Sequence, residues 1–237
     1  MISLIKGQFE KIILENPLFG PNKISLCIMD PPDNEGRKYS GYDDNLPDEQ
    51  YVDLLDQWLC SACYITDGPV FISFSNKWTR QVENIIYQHH IPLIQRIYWR
   101  YTFGQANKKR YAPSLRPIYW LNKDIIYDNE IRIPSDRMIK YGDKRANPLG
   151  KLPDNVWDFS RICGTFKERR KFHPTQHPEA LIERIVLGHS KPGESVLDPF
   201  VGSGTTAIVC KRLNRNCVGI EISQFYIDKI NEIINND

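Results

Sequence analysis

Val196-Leu-Asp-Pro-Phe-Val-Gly-Ser-Gly-Thr-Thr206 decides how this 237-residue chain is read. A short apolar run, Ser195–Leu197, stops at Asp198 and turns through small residues into a periodic apolar stretch, Thr205–Leu213. That is the pattern of a strand, a tight turn and a helix. Gly202 and Gly204 let backbone approach a ligand closely, and the helix start offers free N–H groups. Glu221 closes the next apolar run, Cys217–Ile220, where a carboxylate can accept from both hydroxyls of a ribose. No lysine follows the glycines, so this is not a phosphate-gripping loop. Ala207 stands where a dinucleotide fingerprint has its last small residue, which keeps a nicotinamide enzyme as one reading. Asp198 speaks against it. An acid facing the turn repels a pyrophosphate and suits a cofactor with a cationic amino-acid end, such as S-adenosylmethionine.

Working outward, two more apolar runs precede this motif. Ile24–Met29 stops at Asp30, and Pro69–Ser75 stops near Asn76. Helical periodicity covers Asp48–Tyr64, Thr79–His89, Pro178–Gly188 and Gln224–Ile234. Alternating strands and helices with continuous apolar runs predict an α/β fold with a doubly wound, mostly parallel sheet. Ligands of such sheets bind where the strands end. Asp30, Ser75, Asp198 and Glu221 are therefore expected to rim one pocket. Asp30-Pro31-Pro32 combines a carboxylate with a proline-fixed backbone whose carbonyls have no competing N–H. Two acceptors suit the exocyclic amine of a nucleobase. Its lone pair is delocalised, and holding both N–H bonds favours a pyramidal nitrogen aimed at an electrophilic methyl. Placing that methyl in line supplies the rest.

Composition narrows the class. Hydrophobic residues are 41% and charged residues 25%, the balance of a globular protein rather than a disordered one. No apolar run reaches the roughly 18 residues of a membrane span. Met1–Phe9 lacks the apolar core of a signal peptide, so a cytoplasmic protein without membrane contact is expected. Six cysteines are expected to stay reduced. Cys60-x-x-Cys63 has no answering pair, and prolines interrupt the His173/His177 spacing, so no metal is expected. The net charge of +2 hides an uneven distribution. Residues 95–172 hold 18 basic and 8 acidic side chains, whereas 1–94 hold 7 and 13, and 173–237 hold 6 and 8. Tyr98, Trp99, Tyr101, Phe103, Tyr111, Tyr119 and Trp120 are interleaved with the basic ones. Such a middle region suits a polyanion with stackable bases.

Together, Asp30-Pro-Pro and Asp198-Pro-Phe-Val-Gly-Ser-Gly resemble the amino-methylating DNA methyltransferases, adenine-N6 or cytosine-N4. The acceptor motif precedes the cofactor motif, an order similar to the permuted beta class. His173-Pro-Thr-Gln-His-Pro-Glu-Ala180 is similar to that class's cofactor-supporting segment. Lys144-Arg-Ala-Asn-Pro148 and Pro153-Asp-Asn-Val-Trp157 look like the linker of its site-specific members. The resemblance implies a Rossmann-like methyltransferase fold in circularly permuted order. Residues 1–94 and 173–237 would form the catalytic domain, and 95–172 an inserted basic recognition region. It implies transfer from S-adenosylmethionine to N6 of a flipped adenine in duplex DNA, within the restriction-modification setting, and a homodimer. Asp30 favours adenine, with cytosine-N4 as the alternative.

By the same resemblance Asp30, Pro31, Pro32 and Asp33 are the catalytic candidates. Thr175 and Gln176 would meet the cofactor carboxylate, and Asp198 its amino group, with Pro199 and Phe200 beside it. Gly202, Ser203, Gly204 and Thr205 would approach its methionine and ribose end, and Glu221 would hold the ribose. Asp30 also borders this site. DNA-contact candidates are Tyr39, Lys108, Lys109, Arg110, Arg116, Lys144 and Arg145. Two positions depart from the pattern. Asp33 stands where an aromatic residue usually stacks on the base, leaving Tyr39, Tyr42 or Trp78 to do so. Gly7-Gln8 replaces a Gly-Asp whose acid reads the cofactor adenine; the Gln8 amide can take that bond. These departures keep a module that binds nucleic acid without turnover as a further reading.

Overall fold

Apolar runs that alternate with amphipathic helices become inner strands covered on both faces. The computed structural model describes residues 1–15, 19, 23–101 and 108–236. Its strands are β1 (Ile2–Lys6), β2 (Leu26–Met29), β3 (Val70–Ser73), β4 (Leu93–Arg100), β5 (Leu115–Leu121), β6 (Val156–Asp158), β7 (Ser195–Asp198) and β8 (Asn216–Glu221). The helices are α1 (Phe9–Glu15), α2 (Asp48–Ile65), α3 (Thr79–Gln88), α4 (Asp136–Ile139), α5 (Glu179–His189), α6 (Thr205–Arg212) and α7 (Gln224–Asn236). One sheet joins all eight strands in the order β1-β8-β7-β2-β3-β5-β4-β6. It is mostly parallel; only β5 runs against its neighbours β3 and β4.

Side-chain alternation along the inner strands splits the core. Cys27 and Met29 of β2, with Val70 and Ile72 of β3, pack with Tyr51, Leu55 and Trp58 of α2 and Val82 and Ile85 of α3. Leu26 and Ile28, with Phe71, face the other way, onto Leu181 and Ile185 of α5 and Val209 of α6. Helices on both faces make the sheet doubly wound, as expected.

The four expected strands and five expected helices are present, with shifted ends. β1 and α1 were not anticipated. β1 is an edge strand paired only with β8, and its residues are half-buried, so it carries no continuous core signature. The strands of 95–172 do not form a sheet of their own. The boundary at residue 95 falls inside β4, and β4, β5 and β6 extend the main sheet beyond β3. β4 mixes exposed Gln95, Arg96 and Arg100 with buried Ile97 and Trp99, which in sequence looks unlike the inner strands. Phe103 lies outside the described residues.

The turn between α2 and β3 is set by a missing side chain. A Cβ on Gly68 would sit 1.8 Å from the Ser25 carbonyl oxygen, backbone against backbone. Asn122 Nδ2 donates to the Gly68 and Thr66 carbonyls from the far side. Gly68→Ala is expected to cost about 3 kcal/mol. Thermal unfolding should show Tm lower by about 6–12 °C; an unchanged Tm would contradict this close approach.

Candidate active site

β2, β3, β7 and β8 are parallel, so their last residues share one edge of the sheet. Asp30 follows β2, Ser73 ends β3, Asp198 ends β7 and Glu221 ends β8. All four open into one cleft of about 490 Å³. The turn at 199–203 and the segment 173–177 complete its walls. The expected Ser75 is displaced from it. Two residues past the strand, its N–H donates to Asp33 Oδ1 (2.8 Å) and its hydroxyl to Glu35 Oε1 (2.5 Å). Ser73 takes its place on the rim.

The turn is held by its own backbone. Gly202 has φ +43° and Gly204, just before α6, has φ +79°, both in the left-handed region that favours glycine. Glu221 Oε2 accepts from the Gly202 N–H (3.0 Å) and its Oε1 from that of Ser223 (2.9 Å), which pins the turn of β7 to the end of β8. Asp198 Oδ1 accepts from the Phe200 N–H (3.0 Å). Burial is the main reason the Asp198 carboxyl is pushed up to about 7, with the nearby Asp30 charge adding to it. A group so placed gains from a cation. Phe200 meets Trp58 edge-on at 4.9 Å and Phe9 at 6.1 Å, an apolar flank for the cleft.

Across the cleft, Asp30 belongs to a ring of hydrogen bonds. Its Oδ1 accepts from Arg116 Nη2 (2.8 Å), and its Oδ2 faces His177 Nδ1 (3.1 Å). His177 Nε2 lies 3.2 Å from Ser73 Oγ, which accepts from Arg116 Nε (2.7 Å). Burial alone would raise the Asp30 carboxyl; the His177 and Arg116 charges beside it win and hold it well below the usual carboxylate range. Asp33 pairs with Arg116 twice, at 2.7 and 3.0 Å, yet burial outweighs that pull and leaves its carboxyl raised. The Pro32 carbonyl accepts from Tyr51 (2.5 Å), whereas the Pro31 carbonyl takes no hydrogen bond among the described residues.

Of the other residues proposed from sequence, Gln8, Pro32, Tyr39, Thr175, Gln176, Pro199, Phe200, Ser203 and Thr205 line the cleft with Gly202. Pro31, Asp33 and Gly204 do not. Gly204 serves packing: a Cβ there would meet Ile230 of α7 at 2.8 Å. The Gln176 amide is spent on backbone, accepting from Arg170 N–H (2.8 Å) and donating to the Glu168 carbonyl (2.7 Å). Trp78 is buried and donates to the Asp33 carbonyl, outside the cleft, so of the three stacking candidates Tyr39 and Tyr42 line it. Arg116 was expected on a DNA-facing surface and instead turns inward. Lys108, Lys109, Arg110, Lys144 and Arg145 are exposed. His177, Ser73 and His173 escaped the sequence reading, although the two histidines were weighed as a metal pair. Their prolines argue against a shared helix, and the segment they interrupt forms a wall of the cleft instead.

The N6/N4 DNA methylase family matches residues 24–232 of the chain. The chain belongs to this family. The type II methyltransferase M.HpaI of Haemophilus parainfluenzae is 37% identical over 223 residues, covering 91% of this chain and 69% of that protein. The DNA adenine methyltransferase YhdJ of Escherichia coli (strain K12) is 33% identical over 219 residues, covering 86% of this chain and 74% of that one. Among solved structures, M1.HpyAVI in complex with S-adenosylmethionine has the same fold, with a TM-score of 0.64 at 22% identity over 98% of this chain and all of that one. The DNA methylase family draws its methyl from S-adenosylmethionine, and the cleft fits that molecule. The buried Asp198 carboxyl would gain from a cationic group such as the cofactor's ammonium, and the Tyr42 hydroxyl is buried on the cleft wall without a partner among the described residues. Among the described residues no helix is long and apolar enough to cross a membrane.

Proposed function

We propose that this DNA methylase methylates N6 of adenine, taken out of the duplex into the cleft. One observation carries the reading: Asp30 and Asp198, at the ends of the adjacent strands β2 and β7, open into the same cleft. Asp198 and Glu221 would hold the cofactor by its ammonium and ribose, and the cofactor supplies an electrophilic methyl there. Asp30 would accept from an N–H bond of the amine and aim its lone pair at that methyl; Pro31, expected to supply a second acceptor, does not line the cleft. An aspartate at position 30 favours adenine by family resemblance, in keeping with the name of the YhdJ relative.

Topology also supports a DNA path here. β5 runs against β3 and β4, so β4 ends and β5 begins at the edge of the sheet where the cleft opens. Lys108, Lys109 and Arg110 lie between β4 and β5, where they would neutralise phosphates. The test is incubation with methyl-labelled cofactor and mixed-sequence duplex DNA, followed by digestion to nucleosides. Label in N6-methyladenine is the expected result. Label in N4-methylcytosine would overturn the base assignment, and no label would leave a binding module.

A pH dependence follows from Asp198. Its carboxyl, at about 7, must be ionised to pair with an ammonium group. Below pH 7 binding has to expel a proton, so cofactor affinity should fall about tenfold per pH unit and level off above 7. Calorimetric titrations in two buffers of different ionisation enthalpy should show proton release at pH 6. Asp198→Asn should bind weakly with no such slope. An affinity flat from pH 5.5 to 8 in the unaltered protein would remove Asp198 from the ammonium site.

A further inference from the structure

Arg116 is the most heavily committed side chain beside the cleft. Nε donates to Ser73 Oγ (2.7 Å), Nη1 to Asp33 Oδ2 (2.7 Å), and Nη2 to both Asp33 Oδ1 (3.0 Å) and Asp30 Oδ1 (2.8 Å). That uses four of the five N–H bonds of the guanidinium. The two-pronged pairing is with Asp33, and only one edge reaches Asp30. Asp33 is in turn fixed by the Ser75 N–H, and its own carbonyl accepts from Trp78. Its side chain is 19% exposed and does not line the cleft, whereas Asp30 keeps 32%. Asp33 holds Arg116, and Arg116 holds Asp30.

We propose that Arg116, anchored by Asp33 and Ser73, is a positioning residue that presents the Asp30 carboxylate to the target amine. The inference rests on the reading of Asp30 as the amine acceptor. It gives Asp33 a task at the position where the resemblance expects an aromatic residue: anchoring charge rather than stacking on the base. Arg116 and His177 grip Asp30 from two sides, so the carboxylate sits in one orientation. Only one N–H of the guanidinium is left over for a phosphate, on a side chain 18% exposed.

The groups facing Asp30 are Arg116 on β5, His177 and His173 on the segment before α5, Asp198 at the end of β7, and Asp33 and Tyr39 on its own loop. Of these Arg116 is the permanent cation. Losing it should raise the pH below which Asp30 protonates and transfer fails. Arg116 moves in the complementary direction: burial works against its charge, and Asp33 and Asp30 overcome that and raise its pKa.

The experiment measures kcat and KM for duplex DNA against pH, at saturating S-adenosylmethionine, for the unaltered chain, R116M, R116K, D33N and D30A. Cofactor titration of each variant serves as the folding control. R116M should lose at least about 100-fold in kcat while cofactor affinity stays within about twofold. Its acid limb should move up, toward the ordinary carboxylate range. R116K, which keeps the charge without the fork, should recover part of both effects. D33N should shift the limb the same way by less; with R116K it decides the matter if R116M does not fold. A kcat within threefold and an unmoved limb in R116M and D33N, with D30A inactive, would overturn the proposal. So would a rise confined to the KM for DNA, which would make Arg116 a DNA contact. If D30A itself stays active, the amine-acceptor reading of Asp30 is what fails.

Discussion

Asp30→Ala is expected to lower kcat for methyl transfer by about three orders of magnitude while cofactor affinity changes only a few-fold. The size follows from the task proposed for the carboxylate. A base amine is a poor nucleophile, and holding its N–H bonds while aiming its lone pair combines orientation with charge placement. Both are lost at once, because both depend on the one carboxylate. The selectivity follows from position. Asp30 ends β2, while Glu221 and Asp198 end β8 and β7, each held by its own backbone contacts. Removing Asp30 leaves those contacts standing, and Arg116 keeps its fork on Asp33. Asp30→Asn is a sharper version. The two oxygens now face Arg116 and His177, so an amide must turn its NH₂ toward one of them. Facing Arg116, it sets donor against donor; facing His177, it needs the other tautomer. The variant should therefore remain largely inactive despite its matching shape. Single-turnover methylation with labelled cofactor, beside a cofactor titration, measures both quantities. Activity within tenfold of the unaltered chain in Asp30→Ala would end the amine-acceptor assignment.

What could be read in advance follows from how the sheet is buried. β2, β3, β7 and β8 are covered on both faces, so each shows as a short apolar run, and those of β2, β7 and β8 stop at the residue opening into the cleft. Three of the four rim residues, Asp30, Asp198 and Glu221, were legible for that reason. Ser75 was misplaced because Phe74, fully buried beyond β3, prolongs the apolar run past the strand's end. β1 and β4 were not legible as sheet members, since half-exposed strands carry only a broken pattern. Arg116 shows the deeper limit. In sequence it is one of 18 basic residues in a basic stretch, and charge counting assigned it to DNA. Only the antiparallel register of β5 on β3, pairing Ser73 with Ile118, brings it beside the Asp30 loop. Composition reports how many charges a region carries; pairing decides which of them are already spent. The same applies to Gln176, whose amide holds the 168–176 segment together.

Gly202→Val should reduce cofactor affinity by at least about 100-fold, near 2.7 kcal/mol. Two separate effects add. Gly202 has φ +43°, where a β-branched residue is strained by about 1–3 kcal/mol. A Cβ there would also sit 2.8 Å from His173 Nε2 and 3.0 Å from its Cε1. His173 has little room to withdraw. It is buried, its Nδ1 is bonded to the Thr175 carbonyl, and its ring lies between Tyr39 at 5.6 Å and Tyr226 at 4.7 Å. The clash is therefore passed to the 173–177 segment and to the turn, both of which form walls of the cleft. The Gly202 N–H bond to Glu221 would be disturbed as well, loosening the proposed ribose acceptor. Gly204→Ala is the control that separates binding from folding. Its Cβ would press on buried Ile230, away from the cleft, so it should lower Tm while the folded protein binds cofactor normally. Calorimetric titration and a thermal melt on both variants give the comparison. Unchanged affinity in Gly202→Val would refute the cofactor assignment of this cleft. Equal loss of affinity in both variants would show that the glycines matter only for building the turn, because only Gly202 borders the space a cofactor would fill.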